Sequence, residues 1–232
     1  MIVDFHSHIL PGVDHGSKDV QEAKKQLELI ASGGTDVVVA TSHFYPHVHR
    51  VEDFLRSVEC SVAKLTESSV STSGVKICLG AEVLLCEGIN KMPDFYKLCI
   101  RGTKAILIEM PSTGSWNGLF DTVDHIIEDG YTVILAHIDR YIKRYEEQID
   151  LLIRGGALAQ VNADSLSSFF SRKKMMEYID SGCVSALGSD LHGADKKSYL
   201  AFTSLKKHIG EDNYERIMSR SAKLLEMAEF IV

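Results

Sequence analysis

Seven short runs of β-branched and aliphatic residues recur along this chain, each separated from the next by a stretch long enough to hold a helix. The runs are Ile2–Phe5, Thr35–Thr41, Val75–Ala81, Lys104–Ile108, Tyr131–Ala136, Ala157–Val161 and Cys183–Leu187. Continuous apolar runs of this length read as strands buried on both faces, and alternation with helices joins such strands by crossovers into a parallel sheet. The intervening stretches fit. Val20, Ala23, Leu27 and Ile30 recur at three- and four-residue steps, with Asp19 as N-cap, Glu22 three residues on and Gly33-Gly34 as the stop. A second helix is predicted from Phe54, Leu55, Val58, Val62 and Leu65, ending in the Ser/Thr-rich Ser68–Ser73 segment. A third runs from Leu119 to Ile127 and stops at Gly130. Further helical patterns cover about 142–154, 165–180, 198–208 and 211–230. Seven such units in 232 residues, without an internal repeat, long linker or low-complexity tract, predict one α/β domain over 1–232, a barrel one unit short of eight.

Composition narrows the function. Twenty-five Lys and Arg against 32 Asp and Glu leave a net charge of -7, so no bulk positive field draws nucleic acid or an anionic membrane. The apolar runs are strand-sized, which predicts no membrane insertion, and Met1-Ile2-Val3-Asp4-Phe5-His6 does not read as a signal peptide, so the cytoplasm is the expected location. The five cysteines show no CxxC pair and are expected as free thiols. None opens a Cys-x5-Arg loop, which excludes the covalent cysteine route to phosphoester chemistry.

The polar residues at the strand ends carry the chemical information. His6 and His8 follow the first run, His43 the second, Glu82 the third, Glu109 the fourth, His137 the fifth, and Asp190 with His192 the seventh. In a parallel barrel those C-terminal ends converge on one face, where such folds place their sites. Singly, each residue has a bland reading: a chance His-x-His, a solvated strand end, a satisfied core histidine, or Asp190 as a helix cap. Repetition at equivalent positions is what those readings leave unexplained. Histidine and carboxylate without thiolate suit divalent Zn, Mn or Fe, and four carboxylates, counting Asp14, would offset much of the charge of two or three such ions. A Glu can bridge two of them, and the expected chemistry is hydroxide attack on an electrophilic centre.

In combination, His6-Ser7-His8, Leu10-Pro11-Gly12-Val13-Asp14, Ala40-Thr41-Ser42-His43, Gly80-Ala81-Glu82, Ile108-Glu109, Ala136-His137-Ile138-Asp139-Arg140-Tyr141 and Ser189-Asp190-Leu191-His192 resemble the polymerase-and-histidinol-phosphatase (PHP) superfamily. Within it the chain is similar to the bacterial tyrosine phosphatases of capsule and exopolysaccharide clusters, the CpsB/YwqE type, over nearly its full length. The resemblance implies a distorted seven-stranded (β/α)7 barrel with two or three divalent ions, Mn or Fe, with Zn as the other option. It implies hydrolysis of phosphotyrosine on the tyrosine-rich tail of a bacterial tyrosine kinase that regulates polysaccharide synthesis. It assigns metal ligation to His6, His8, Asp14, His43, Glu82, Glu109, His137, Asp190 and His192, and phosphate binding to Arg140, whose planar guanidinium suits phosphate oxygens. Asp190 and His192 are the candidates for proton donation. The chain departs from its relatives at His15, where a second Asp is common, at Lys196 and Lys197, offered where relatives often carry a phosphate-facing Arg, and at Ser219-Arg220-Ser221-Ala222, which lacks the usual Asn-Pro.

A histidinol-phosphate type of phosphatase shares every ligand and is the alternative reading. A carbon–nitrogen hydrolase would need an eight-stranded barrel and often a bridging lysine, and a non-catalytic module would show broken ligation. His47 and His49 read as a solvated loop beyond His43, His15 as a surface or capping residue, and Trp116 as either an aromatic platform or a buried anchor.

Overall fold

Each predicted run forms a strand, and five of the seven continue past their apolar stretch into the polar residues that follow. The strands are β1 (Val3–His8), β2 (Val37–Phe44), β3 (Lys76–Leu84), β4 (Ala105–Glu109), β5 (Thr132–Leu135), β6 (Leu158–Asn162) and β7 (Val184–Gly188). His6, His8, His43, Glu82 and Glu109 therefore lie within strands, held by the sheet's own hydrogen bonds. The computed structural model describes residues 1–68, 74–167 and 169–231. Most of the predicted Ser68–Ser73 segment, residues 69–73, lies outside the described residues.

Nine helices are seen among the described residues: α1 (Val20–Ser32), α2 (Val51–Glu67), α3 (Leu119–Glu128), α4 (Ile142–Arg154), α5 (Ala163–Ser167), α6 (Phe169–Asp180), α7 (Lys196–Thr203), α8 (Leu205–Ile209) and α9 (Glu211–Leu224). The α1 cap is as expected: Asp19 Oδ1 accepts from Glu22 N at 2.9 Å, while Glu22 reaches back to Lys18 N at 2.8 Å. The segment predicted as one helix over 198–208 is broken at Ser204 into α7 and α8. The last helix stops at Leu224 rather than Phe230. From there the chain turns under the sheet, with Glu229 N donating to Arg101 O, Ile231 N to Ile77 O, and Phe230 bridged to Cys78.

All neighbouring strands are parallel, in the order β7-β6-β5-β4-β3-β2-β1-β8. The eighth strand, β8 (Leu191–His192), corrects the expected seven-stranded barrel: the sheet is a curled, barrel-like α/β sheet of eight strands. The chain leaves β7 at Gly188, turns through Asp190, and pairs two further residues with β1, so the two edges of the sheet are covalently consecutive. Asp190 N donates to His6 O at 2.8 Å and Ser189 N to Asp4 Oδ1 at 2.8 Å, which ties the turn between those edges to β1.

Alternation along the strands separates two apolar layers. Val38, Ala40, Ile77, Leu79, Ile106, Ile108, Val133 and Leu135 pack outward with the helices. Val3, Phe5, Val37, Val39, Cys78, Ala105, Leu107, Ile134 and Ala186 form a second, inner cluster, closed from below by Ile100 and Leu225. On β1 the register slips by one residue between Asp4 and Ser7, a β-bulge. The extra residue reverses the alternation, so Val3 and Phe5 fill the inner apolar layer while His6 and His8 also face inward, above it. No helix of the described residues is long and apolar enough to cross a membrane.

Candidate metal centre

The inward side chains at the C-terminal ends of the strands meet around Glu82. Its Oε2 lies 3.1 Å from His6 Nε2, 3.4 Å from His8 Nε2 and 3.0 Å from His43 Nδ1, and its Oε1 lies 2.6 Å from His137 Nε2. Asp190 Oδ1 adds contacts at 3.3 Å to His8 Nε2 and 3.6 Å to His6 Nε2, and Glu109 Oε2 stands 3.8 Å from His43 Nδ1. His192 closes the side nearest β1, its ring centroid 3.9 Å from that of His8. Glu82, His6, His8 and His137 have no solvent exposure. Eight of the nine expected ligands thus fall into four overlapping groups whose donor atoms could hold a cation: His6/His8/Asp190, His6/Glu82/His137, His43/Glu82/Glu109 and His8/His43/His192.

Asp14 is placed differently. Its Oδ2 accepts from His8 Nδ1 at 2.7 Å and from His43 N at 2.9 Å, and its Oδ1 from Gly16 N at 2.8 Å. It stands behind His8, the arrangement by which a carboxylate orients a ligating imidazole. The loop can close this tightly because residue 16 is glycine: a Cβ there would lie 2.3 Å from His8 O.

The electrostatics are those of charges that must neutralise one another. Burial pushes the Glu82 carboxyl up, but His6, His137 and His43 outweigh it and hold the group well below the usual carboxylate range. Asp190 is likewise held down, against burial, by His6, His8 and Arg140. Burial lowers His8, yet hydrogen bonds to Asp14, Asp190 and Glu82 leave it well above the ordinary imidazole value. Glu109 moves the other way, pushed up to about 7 by burial and by the neighbouring Glu82 charge. Burial and the positive His8 take His192 down to about 4.

This donor set fits divalent ions on a structural ground. Buried polar atoms without a well-formed hydrogen bond concentrate here: His43 Nδ1, Glu82 Oε2, Glu109 Oε2, His137 Nδ1 and His192 Nε2. His6 Nε2 and His8 Nε2 face each other at 3.2 Å, and His8 carries its proton toward Asp14. Lone pairs converging on one buried point, with ionised carboxylates beside them, are stabilised by cations.

Arg140 follows His137 in a short 3-10 turn, and its Nη2 pairs with Asp190 Oδ2 while the side chain stays about half exposed, at 48%. It borders the cluster on the solvent side. Lys196 and Lys197 are exposed in the first turn of α7, and among the described residues neither forms an ion pair with a carboxylate of the cluster. Trp116 is a buried anchor rather than a platform. Its ring is 2% exposed, donates to Pro111 O at 2.9 Å and stacks on Tyr145.

Three residues escaped sequence reasoning. His15 is exposed, as expected, but its ring also stacks on His43 and His192, with centroids 4.7 and 4.5 Å away. Gln160 and Asn162, inward on β6, bond to His137 and Asp190. The signal for β6 was there, since it is the strand whose polar inward residues are amides.

The curled parallel sheet and the buried histidine–carboxylate cluster at its C-terminal edge define a barrel-type α/β protein with a site for divalent metal. The chain belongs to the family described as capsular polysaccharide synthesis, CpsB/CapC, which it matches over residues 2–226. It is 32% identical over 215 residues to CapC of Staphylococcus aureus, spanning 86% of this chain and 80% of that protein. With the tyrosine-protein phosphatase CpsB of Streptococcus pneumoniae it shares 26% identity over 250 residues, 99% of this chain and 100% of the relative. The solved structures of YwqE from Bacillus subtilis and CpsB from S. pneumoniae, described as metal-dependent tyrosine phosphatases, share the fold with a TM-score of 0.77 at 18% identity, over 98% of this chain and 97% of theirs.

Proposed function

We propose that this chain is a metal-dependent protein-tyrosine phosphatase acting in the cytoplasm on the tyrosine-rich tail of a kinase that regulates capsule or exopolysaccharide synthesis. The observation that carries the reading is the buried Glu82-centred cluster, in a chain of the CpsB/CapC family. His6, His8, His43, Glu82, Glu109, His137, Asp190 and His192 would hold two or three divalent ions, manganese or iron first and zinc as the other option, with Asp14 orienting His8. Such ions supply Lewis acidity toward phosphoryl oxygens and an activated water at neutral pH.

The protein's own groups do the rest. Arg140, fixed at one end on Asp190, presents its remaining N–H groups to the solvent side, where two phosphate oxygens can be gripped together. Asp190, held ionised by its imidazole and guanidinium neighbours, serves ligation rather than proton donation. A phenol leaves with a pKa of about 10, so phosphotyrosine needs less protonation of its leaving group than the alkoxide of Ser or Thr. Lys196 and Lys197 remain available to a substrate's acidic flank. Phosphate release from a phosphotyrosine peptide, a phosphoserine peptide and histidinol phosphate, each with manganese, tests the reading, with Glu109→Ala as control. Preference for phosphotyrosine that disappears in the control is the expected result. Preference for histidinol phosphate would move the function to a small-molecule phosphatase.

A further inference from the structure

β6 contributes none of the expected ligands, yet its inward side chains make a directed set of hydrogen bonds beneath the centre. Gln160 has no solvent exposure and Asn162 is 2% exposed. His137 N donates to Gln160 Oε1 at 2.6 Å. A backbone amide only donates, so the amide atom facing it must be oxygen, which fixes the orientation of Gln160. The same oxygen lies 3.3 Å from His6 Nδ1. An oxygen with no proton to give requires that His6 carry a proton on Nδ1, which leaves Nε2, the nitrogen facing Glu82, His8 and Asp190, as the atom that can ligate. The other end of the amide then has to donate, and Gln160 Nε2 does so to Asn162 Oδ1 at 2.9 Å. That orients Asn162 in turn, whose Nδ2 donates to Asp190 Oδ2 at 2.8 Å.

A second observation coincides with this chain of bonds. Among the described residues, three other than glycine have positive φ, and two of them are His137, at 32°, and Asp190, at 51°. Left-handed backbone at such residues costs about 1–3 kcal/mol and persists only where the surroundings determine it. Gln160 bonds the backbone of the first, and Asn162 the side chain of the second. Gly188 leaves room for this: a Cβ there would lie 2.8 Å from Gln160 Nε2 and 2.5 Å from His6 Cβ.

We propose that Gln160 and Asn162 are positioning residues, a relay that sets the tautomer of His6 and holds His137 and Asp190 in their left-handed conformations, so that three ligands from β1, β5 and the β7–β8 turn are arranged before a divalent cation arrives. The inference rests on the metal-centre reading above. Its test is calorimetric titration of Mn²⁺ into the metal-stripped full chain, for the wild type, Gln160→Met and Asn162→Ala, with urea unfolding to confirm that each protein is folded. Loss of an orienting partner typically costs about 10- to 100-fold in metal affinity, and that loss is expected for Gln160→Met, with a smaller loss for Asn162→Ala. The histidine ¹⁵N spectrum of the Zn²⁺-loaded proteins supplies a readout that general destabilisation would not move. The His6 Nδ1–H signal should be slow to exchange in the wild type and Asn162→Ala, and lost in Gln160→Met. Should Gln160→Met fail to fold, Asn162→Ala, which keeps the Gln160–His137 bond, still decides. Mn²⁺ affinity within twofold of wild type in the folded variants, with an unchanged His6 signal, overturns the relay. A wild type that takes up no Mn²⁺ overturns the metal-centre reading instead.

Discussion

Asp4 offers a test of how the closure of the sheet is held together. Its carboxyl is fully buried at the bulge of β1, where Oδ1 accepts from Ser189 N at 2.8 Å and His6 N at 3.4 Å, while Oδ2 has no hydrogen-bond partner among the described residues. Burial dominates, and the group is pushed up to about 6 from 3.8, against the pull of Ser189 and His6. A folded-state value above the unfolded one means the native protein prefers the neutral acid. Below pH 4 both states are protonated and nothing is lost. Between about 4 and 6 the unfolded chain ionises first, and stability falls. Above 6 the full deficit is present, about 3 kcal/mol at 1.36 kcal/mol per unit. Asn at this position keeps an oxygen for both backbone donors and never ionises. Urea unfolding of the metal-stripped protein should therefore show the advantage of Asp4→Asn growing from about 1 kcal/mol at pH 4.5 to about 3 kcal/mol at pH 7.5. Both proteins share the pH dependence of the other histidines, so their difference reports Asp4 together with its coupling to His6. A difference that is flat across this range, or wild type gaining on the variant as pH rises, would refute the argument.

Arg140→Ala removes a charge-assisted grip worth about 1.5–3 kcal/mol, so KM for a phosphotyrosine peptide should rise about 10- to 100-fold with a smaller change in kcat; steady-state kinetics with unchanged KM would retire the clamp. Gly188→Ala puts a Cβ 2.5 Å from that of His6, and overpacking of this kind costs about 1–3 kcal/mol, to be read as a lower urea midpoint together with weakened metal retention. His6 and His8 carry pKa values raised above the usual imidazole value in the cluster without metal, and a cation must displace those protons. Mn²⁺ affinity should accordingly drop as pH falls through and below neutrality. Calorimetry in buffers of different ionisation enthalpy should show proton release, and equal heats in all buffers would contradict it.

What the sequence made legible was whatever follows a period. Buried parallel strands read as apolar runs because both faces are covered, and six of the seven runs are followed within three residues by an expected ligand. The amphipathic stripe of α4 was readable to the residue, Ile142–Arg154. β8 was not, because a two-residue strand has no pattern of its own; it exists through the turn at Asp190 and the free edge of β1. Asp14 counts as a carboxylate in any sequence, and only the loop geometry shows it spent on His8 Nδ1. His15 is the exposed group it reads as, but its stacking was not legible, because a loop that folds back over His43 and His192 leaves no mark in local residue order. Gln160 and Asn162 carry no charge and bind no metal themselves, so a search for ligands passes over them.

These omissions share a cause. The bulge that turns His6 and His8 inward, the left-handed His137 and Asp190, and the close approach at Gly188 are all departures from regular strand geometry, and all lie within the shell around Glu82. A regular strand offers inward positions only at every second residue, about 7 Å apart. Without the bulge, a strand that places Val3 and Phe5 inward would turn His6 and His8 outward, away from Glu82. One extra residue on β1 lets a single strand serve the core with Val3 and Phe5 and the site with His6 and His8. The left-handed residues after β5 and β7 are themselves members of the cluster, His137 bonded to Glu82 and Asp190 set against His6 and His8. Periodicity therefore specifies the scaffold, while the site depends on where periodicity is broken, and the residues that stabilise those breaks are small or uncharged: Gly16, Gly188, Gln160 and Asn162.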